Sequence, residues 1–314
     1  MTQHMHDDMD RRTLIIAGGA AALGALGADL FLRENRAATP HPPAPPPPVS
    51  PAETTASIDP PERNLIDGIV WQLLASMLDP HGEWQRIGAH SLLLQWTVLD
   101  GVSFIPNLLG LPTIEDAPNW RRIQREPWAK KIIMGLASYG NEPNARRDVA
   151  QLAALSAKVA RARLPFKPSA FYFPVEIDPT WQAAGQIGPL LADIPRPLWV
   201  SCYDNSNVGG AALGDWLASF LPKDVGVMLQ DGLGGHMRTA ESARQYVEAL
   251  RVRLGPERVA LIAEAFRPDG SGGLRPATAQ ELRPQLDTYR GIETFVFEGP
   301  HYLSRRIIRQ LTEG

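Results

Sequence analysis

The run Ala170-Phe171-Tyr172-Phe173-Pro174-Val175-Glu176-Ile177-Asp178 sets the reading of the rest of the chain. Six apolar residues lead without a break to a carboxylate, and Pro179-Thr180-Trp181 then opens a stretch with helical character. A strand that is apolar at successive positions, rather than at alternate ones, is covered on both faces, as in parallel sheets. Residues 66–73, 91–96 and 131–137 upstream have the same character, and so do residues 198–203, 225–230, 258–263 and 293–297 downstream. Helical patterns fill the intervals at residues 82–89, 120–128, 145–162, 181–192, 213–220, 240–254 and 279–289, with a last one at 304–311. Eight strand–helix units predict an α/β fold, a single closed (β/α)8 TIM barrel over residues 64–314. An open doubly wound sheet is the competing arrangement. It needs a glycine-rich turn after the first strand, and Trp71-Gln72-Leu73-Leu74 supplies none.

The segment ahead of the barrel has a different composition. Arg11-Arg12 is followed at once by residues 14–28, which carry no charge and are rich in Ala, Gly and Leu. That order suits a twin-arginine export signal over residues 1–38, retained as a membrane anchor or cleaved; an ordinary secretory signal shares the pattern. Asp29 stops the apolar run short of the roughly 20 residues that span a bilayer. Residues 39–63 read as a proline-rich, disordered linker, with eight prolines in the twelve positions from 40 to 51, a polyproline spacer. The expectation is a barrel working in the periplasm or outside the cell.

Whole-chain composition excludes several classes. The 314 residues are 44% hydrophobic and 21% charged, enough apolar content for a sizeable core. A net charge of −3 lacks the global basic footprint of a nucleic-acid binder. The single cysteine, Cys202, rules out an intramolecular disulfide and any multi-cysteine metal site. His81, His90, His236 and His301 are scattered singly, so no metal or other cofactor is expected. No lysine ends a strand and Gly-x-Ser-x-Gly does not occur, which sets aside Schiff-base and serine-esterase chemistry. The glycine-rich stretches 232–235 and 270–273 read as flexible loops beside the cleft.

In a (β/α)8 barrel the site forms at the C-terminal ends of the strands. Those ends carry Trp71 and Gln72, Gln95 and Trp96, Tyr139, Glu176 and Asp178, Tyr203 and Asp204, Gln230 and Asp231, Glu264, and Glu298 with His301 behind it. Glu176 and Glu264 stand across the barrel from each other. Two carboxyls flanking one bond are what glycoside hydrolysis requires, one protonating the leaving oxygen while the other attacks or activates water. Trp71, Trp96 and Trp181 offer faces for a sugar ring, while Trp84, Trp120, Trp128, Trp199 and Trp216 are assigned to packing between helices and sheet. Asp178 also suits a helix cap before Pro179, and Asp231-Gly232 a plain turn.

Acids ending strands four and seven resemble the arrangement of the clan A retaining glycosidases. With Leu92-Leu93-Leu94-Gln95-Trp96-Thr97 and Tyr172-Phe173-Pro174-Val175-Glu176-Ile177-Asp178, the chain also resembles an uncharacterised bacterial family of secreted, glycosidase-like barrels, over roughly residues 65–311. The resemblance implies Glu176 as acid/base and Glu264 as nucleophile. Clan A enzymes carry Asn before the fourth-strand acid, and this chain has Val175 there. Two functions follow as expectations. One is an exported hydrolase acting on a polysaccharide or oligosaccharide; the other is a non-catalytic carbohydrate-binding barrel that organises an exopolysaccharide or envelope component.

Overall fold

A computed structural model describes residues 64–313 of the chain; the expected signal and linker lie outside the described residues. Eight parallel strands form the barrel: β1 (Gly68–Trp71), β2 (Ser91–Leu94), β3 (Lys131–Gly135), β4 (Ala170–Ile177), β5 (Leu198–Cys202), β6 (Val225–Gln230), β7 (Val259–Glu264) and β8 (Thr294–Phe297). They pair in sequence order, and the sheet closes where β1 meets β8 at Gly68↔Phe295 and Ile69↔Val296. Closure excludes the open doubly wound sheet.

Each strand feeds one inner and one outer apolar layer, because successive side chains point to opposite faces. Val70, Leu93, Ile133, Tyr172, Met228, Ile262 and Phe295 fill the interior. Ile69, Trp71, Leu92, Leu94, Val175, Val227, Leu261 and Val296 face the helices. Two glycines make room for interior rings: a Cβ on Gly68 would lie 2.5 Å from the Phe295 ring, and one on Gly226 would lie 2.4 Å from Trp199. Trp199 therefore belongs to the interior and not to the helix–sheet layer expected for it.

The outer ring comprises α1 (Trp120–Ile123), α2 (Glu142–Arg147), α3 (Val149–Ala160), α4 (Ile187–Leu190), α5 (Gly210–Ala218), α6 (Ala240–Leu254), α7 (Ala279–Thr288), α8 (Gly299–Tyr302) and α9 (Arg305–Glu313). The helix expected at 82–89 is one 3-10 turn, Trp84–Ile87, stopped by left-handed Gly88. That expected at 145–162 starts three residues earlier and breaks at Asp148, because Asn141 caps α2 and Pro143 sits in its first turn. That expected at 181–192 shortens to Ala184–Gln186 and α4, in a stretch holding Gly185, Gly188 and Pro189. The glycine run 270–273 is the tip of a hairpin, Phe266–Pro268 with Leu274–Pro276. Asp269 accepts from the Ser271 and Gly273 amides at 2.8 and 2.9 Å.

Candidate active site

Side-chain alternation sorts the residues at the strand ends. Gln72, Gln95, Glu176, Tyr203, Gln230 and Glu264 continue the inward-facing series of their strands, one step beyond the interior layer. Four consecutive strands are tied together there. Gln230 Nε2 at the end of β6 donates to Glu176 Oε2 of β4 at 2.5 Å and to Ser201 Oγ of β5 at 3.1 Å. Gln230 pairs with Ile262 in the ladder, and Glu264 lies one inward step further along β7.

Glu176 is aimed by a bulge. β4 and β5 pair at Phe173↔Val200 and again at Ile177↔Cys202, so β4 holds two extra residues between them. Pro174 has no amide proton to give the ladder. The Glu176 amide leaves it, donating to Glu142 Oε1 at 2.7 Å. Glu142 is buried on α2 with Arg146 one turn on, 3.4 Å away; the Arg146 guanidinium also reaches Glu176 Oε1 at 3.9 Å and its carbonyl at 3.2 Å. Arg146 in turn lies 5.7 Å over the Trp181 ring. Trp181 stays half-buried over Arg146, the one tryptophan of the three expected platforms with open surface.

Glu264 is fully buried, and its Oε2 accepts from the Gly234 amide at 2.6 Å. The glycine-rich loop 232–235 is thus seated on this carboxylate. Gly234 also abuts Phe266, whose ring would be 2.3 Å from a Cβ at that position.

The outward-facing candidates have other duties. Trp71 and Trp96 are wholly buried in the helix-facing layer. Their indole N–H groups donate to the Met77 carbonyl at 3.2 Å and the Leu73 carbonyl at 2.8 Å, so neither presents a face for a sugar. Asp178, Asp204 and Asp231 are fully buried and serve the loops that follow them. Asp178 accepts from Thr180 N and from Asn205 N; Asp204 accepts from Ser206 N, Val208 N and Tyr246 OH. Asp231 accepts from Leu233 N and Glu264 N through one oxygen, and from Gln285 Nε2 and Tyr289 OH of α7 through the other. Burial pushes the Asp231 carboxyl up to about 6, against these hydrogen bonds and the Arg267 charge.

The Glu298 carboxylate accepts from the Gln72 amide at 2.6 Å and is bonded to His301 Nδ1. Burial pulls His301 toward its neutral form, yet the bond and charge of Glu298 outweigh that and hold its pKa above the ordinary value. Tyr139 remains half-buried in the strip beyond β3, and buried Tyr203 lies 5.5 Å from the Arg238 guanidinium. Among the described residues no three His, Cys, Asp or Glu side chains are grouped to hold a metal ion.

Glu142, Arg146 and Ser201 went unread in the sequence. The signal for the first two was there: a Glu and an Arg four apart, just beyond the end of β3, where the helix leaving the rim begins.

No family model matches the chain, and no curated protein matches it in sequence. Solved structures do match in fold. A provisionally assigned alpha-L-fucosidase from Bacteroides thetaiotaomicron VPI-5482 superposes with a TM-score of 0.53 at 14% identity, covering 85% of this chain and 99% of that one. The PgaB (BpsB) glycoside hydrolase domain from Bordetella bronchiseptica gives 0.45 at 14% identity, covering 78% and 98%. The chain shares the (β/α)8 barrel fold of the first of these structures.

Proposed function

We propose that the protein is an exported glycoside hydrolase acting on a polysaccharide, with Glu176 as acid/base and Glu264 as nucleophile in a retaining mechanism. The observation that carries this reading is the inward orientation of both glutamates at the ends of β4 and β7, with Gln230 of the intervening β6 bonded to Glu176. Glu176 has one oxygen on the Gln230 amide and the other near Arg146, a contact network that fixes the carboxyl while leaving it at the open end of the barrel. Glu264, held by the Gly234 amide, has one oxygen oriented by backbone, which suits a group that must attack along a defined line. Trp181 would stack on the sugar bound next to Glu176, with Gln72 and Gln95 bonding to hydroxyls. The test is release of reducing ends from a panel of polysaccharides. Glu176→Gln is expected to lower kcat on the order of 10²–10⁴-fold, and Glu264→Gln to reduce turnover to background. NMR of the first-formed anomer decides between retention and inversion. Wild-type turnover that survives both changes would sink the assignment.

One observation favours a second reading. Glu264 is fully covered and holds the Gly234 amide, so sugar reaches it only if the residues around it move. A barrel that binds sugar without cleaving it needs no such movement. Saturable binding of an oligosaccharide, with no product from wild type on any substrate of the panel, would select that reading.

A further inference from the structure

The opposite end of the barrel carries a concentration of charge that no catalytic role explains. Two segments meet there: residues 120–131, which lead into β3, and residues 158–169, which connect α3 to β4. Trp120 and Phe166 join them at 4.9 Å, and Gln124 Nε2 reaches the Pro165 carbonyl. Arg121, Arg125, Lys130, Lys158, Arg161, Arg163 and Lys167 are all exposed on these segments. None has a carboxylate partner among the described residues, whereas ten arginines of the barrel, Arg122 included, do. The only acid in either segment is Glu126, and Arg122 occupies it at 2.6 Å. Lys130 and Lys167 flank a cavity of about 540 Å³ that Gln124 and Ser169 also line.

These seven cations, in a chain of net charge −3, are a local excess of positive charge, bordered by Glu293 and Asp67 where Lys131 starts β3. The chain enters the barrel beside it. Leu65 N bonds to Ile87 O at the end of the 3-10 turn Trp84–Ile87, and Trp84 packs 4.8 Å from Trp128, two residues before Lys130. The sequence preceding that entry contains the uncharged apolar run 14–28. The large exposed hydrophobics Val102, Leu109, Val208 and Val252 all lie on other segments, so the surface is suited to electrostatic contact and not to insertion.

We infer that this face docks on an anionic phospholipid surface, which turns the candidate site at the other end of the strands away from the membrane. The inference is independent of the glycosidase reading, since lipid binding and turnover are read separately.

The test uses the full chain and vesicles of phosphatidylcholine with and without phosphatidylglycerol. Expected is a gain in partitioning on adding phosphatidylglycerol, most of it lost between about 0.1 M and about 1 M salt as the screening length falls from about 10 Å to about 3 Å. Each such charge is worth on the order of fivefold in partitioning near an anionic surface. Changing Lys130, Arg161, Arg163 and Lys167 together to Gln should therefore lower partitioning by roughly 10²–10³-fold. Changing Arg305, Arg306 and Arg309 of α9 to Gln, three charges against four, is the control for cations removed elsewhere and should leave most of the gain in place. An absent gain, or one the fourfold variant keeps, overturns the inference. So does binding by the patch to a soluble acidic polysaccharide or to DNA with none to vesicles.

Discussion

Asp178, Asp204 and Asp231 repeat one device at the ends of β4, β5 and β6: each accepts the amide two residues on, at 2.7, 3.0 and 3.1 Å, and so fixes the start of the next loop. These carboxylates hold loops, whereas Glu176 and Glu264 face the barrel axis. Asp231 makes a measurable prediction, because its folded pKa of about 6 lies above the ordinary value of 3.8. The folded state then holds the proton more tightly than the unfolded one. The resulting stability is complete below about pH 4 and is lost as pH rises through about 6, by up to roughly 3 kcal/mol. Asp231→Asn removes this dependence, but it sets an amide against the Gln285 and Tyr289 donors at a loss of about 1–3 kcal/mol. Urea unfolding should therefore show the variant less stable than wild type at pH 4, with the gap narrowing toward pH 7. A gap that does not change with pH would mean that Asp231 does not titrate in this range.

At the scale of elements, the β4 bulge is what the sequence both announced and concealed. Pro174 inside an apolar run signals a break in the ladder, but nothing in the run says that Glu142, more than thirty residues upstream, takes the released Glu176 amide. The bond belongs to a pairing between a helix start and a strand end, and such pairings are set by tertiary position. Glu142 is a positioning residue on this account. Glu142→Gln should lower kcat by roughly tenfold while leaving KM for the oligosaccharide within a factor of about three, as expected when an interaction matters in the transition state more than in binding. A variant that loses binding and turnover together would place Glu142 in substrate contact instead. Helix α7 offers a separate check. Thr278 and Glu281 form a reciprocal capping box, and the Arg275 bond lowers the Glu281 carboxyl to about 2. Thr278→Ala should cost about 1 kcal/mol in chemical unfolding. The tryptophans show the converse case. Trp71 and Trp96 do fall at strand ends, yet Ile69 and Leu94 of the same alternation face the helices, so both rings do the same. Counting alternate positions against Val70 and Leu93 would have found this; the length of the apolar run alone does not.

For the whole molecule, the eight strands were legible because a buried parallel strand leaves an uninterrupted apolar run, and eight such runs in order leave a closed barrel as the natural solution. Helix boundaries were less so, since short 3-10 turns and a capped break at Asp148 satisfy the same apolar spacing as one longer helix. Closure also says where the chain can be cut. Leu65, Ile66, Ile69, Val70, Trp71 and Leu73 are all at most 5% exposed, and at about 1.5–3 kcal/mol each their burial sums to roughly 9–18 kcal/mol, as much as the entire stability of a typical domain. β1 additionally pairs with β2 on one side and β8 on the other. A chain starting at Asn64 keeps all of this and should melt within a few degrees of the full chain, with its turnover unchanged. A chain starting at Leu74 loses β1, exposes two unpaired edges and should fail to give a soluble, cooperatively melting monomer. Calorimetry and size-exclusion of the two truncations decide the point: a marked loss of stability in the first would show that residues before Asn64 pack on the barrel, and a folded second would show that β2 and β8 can close without it.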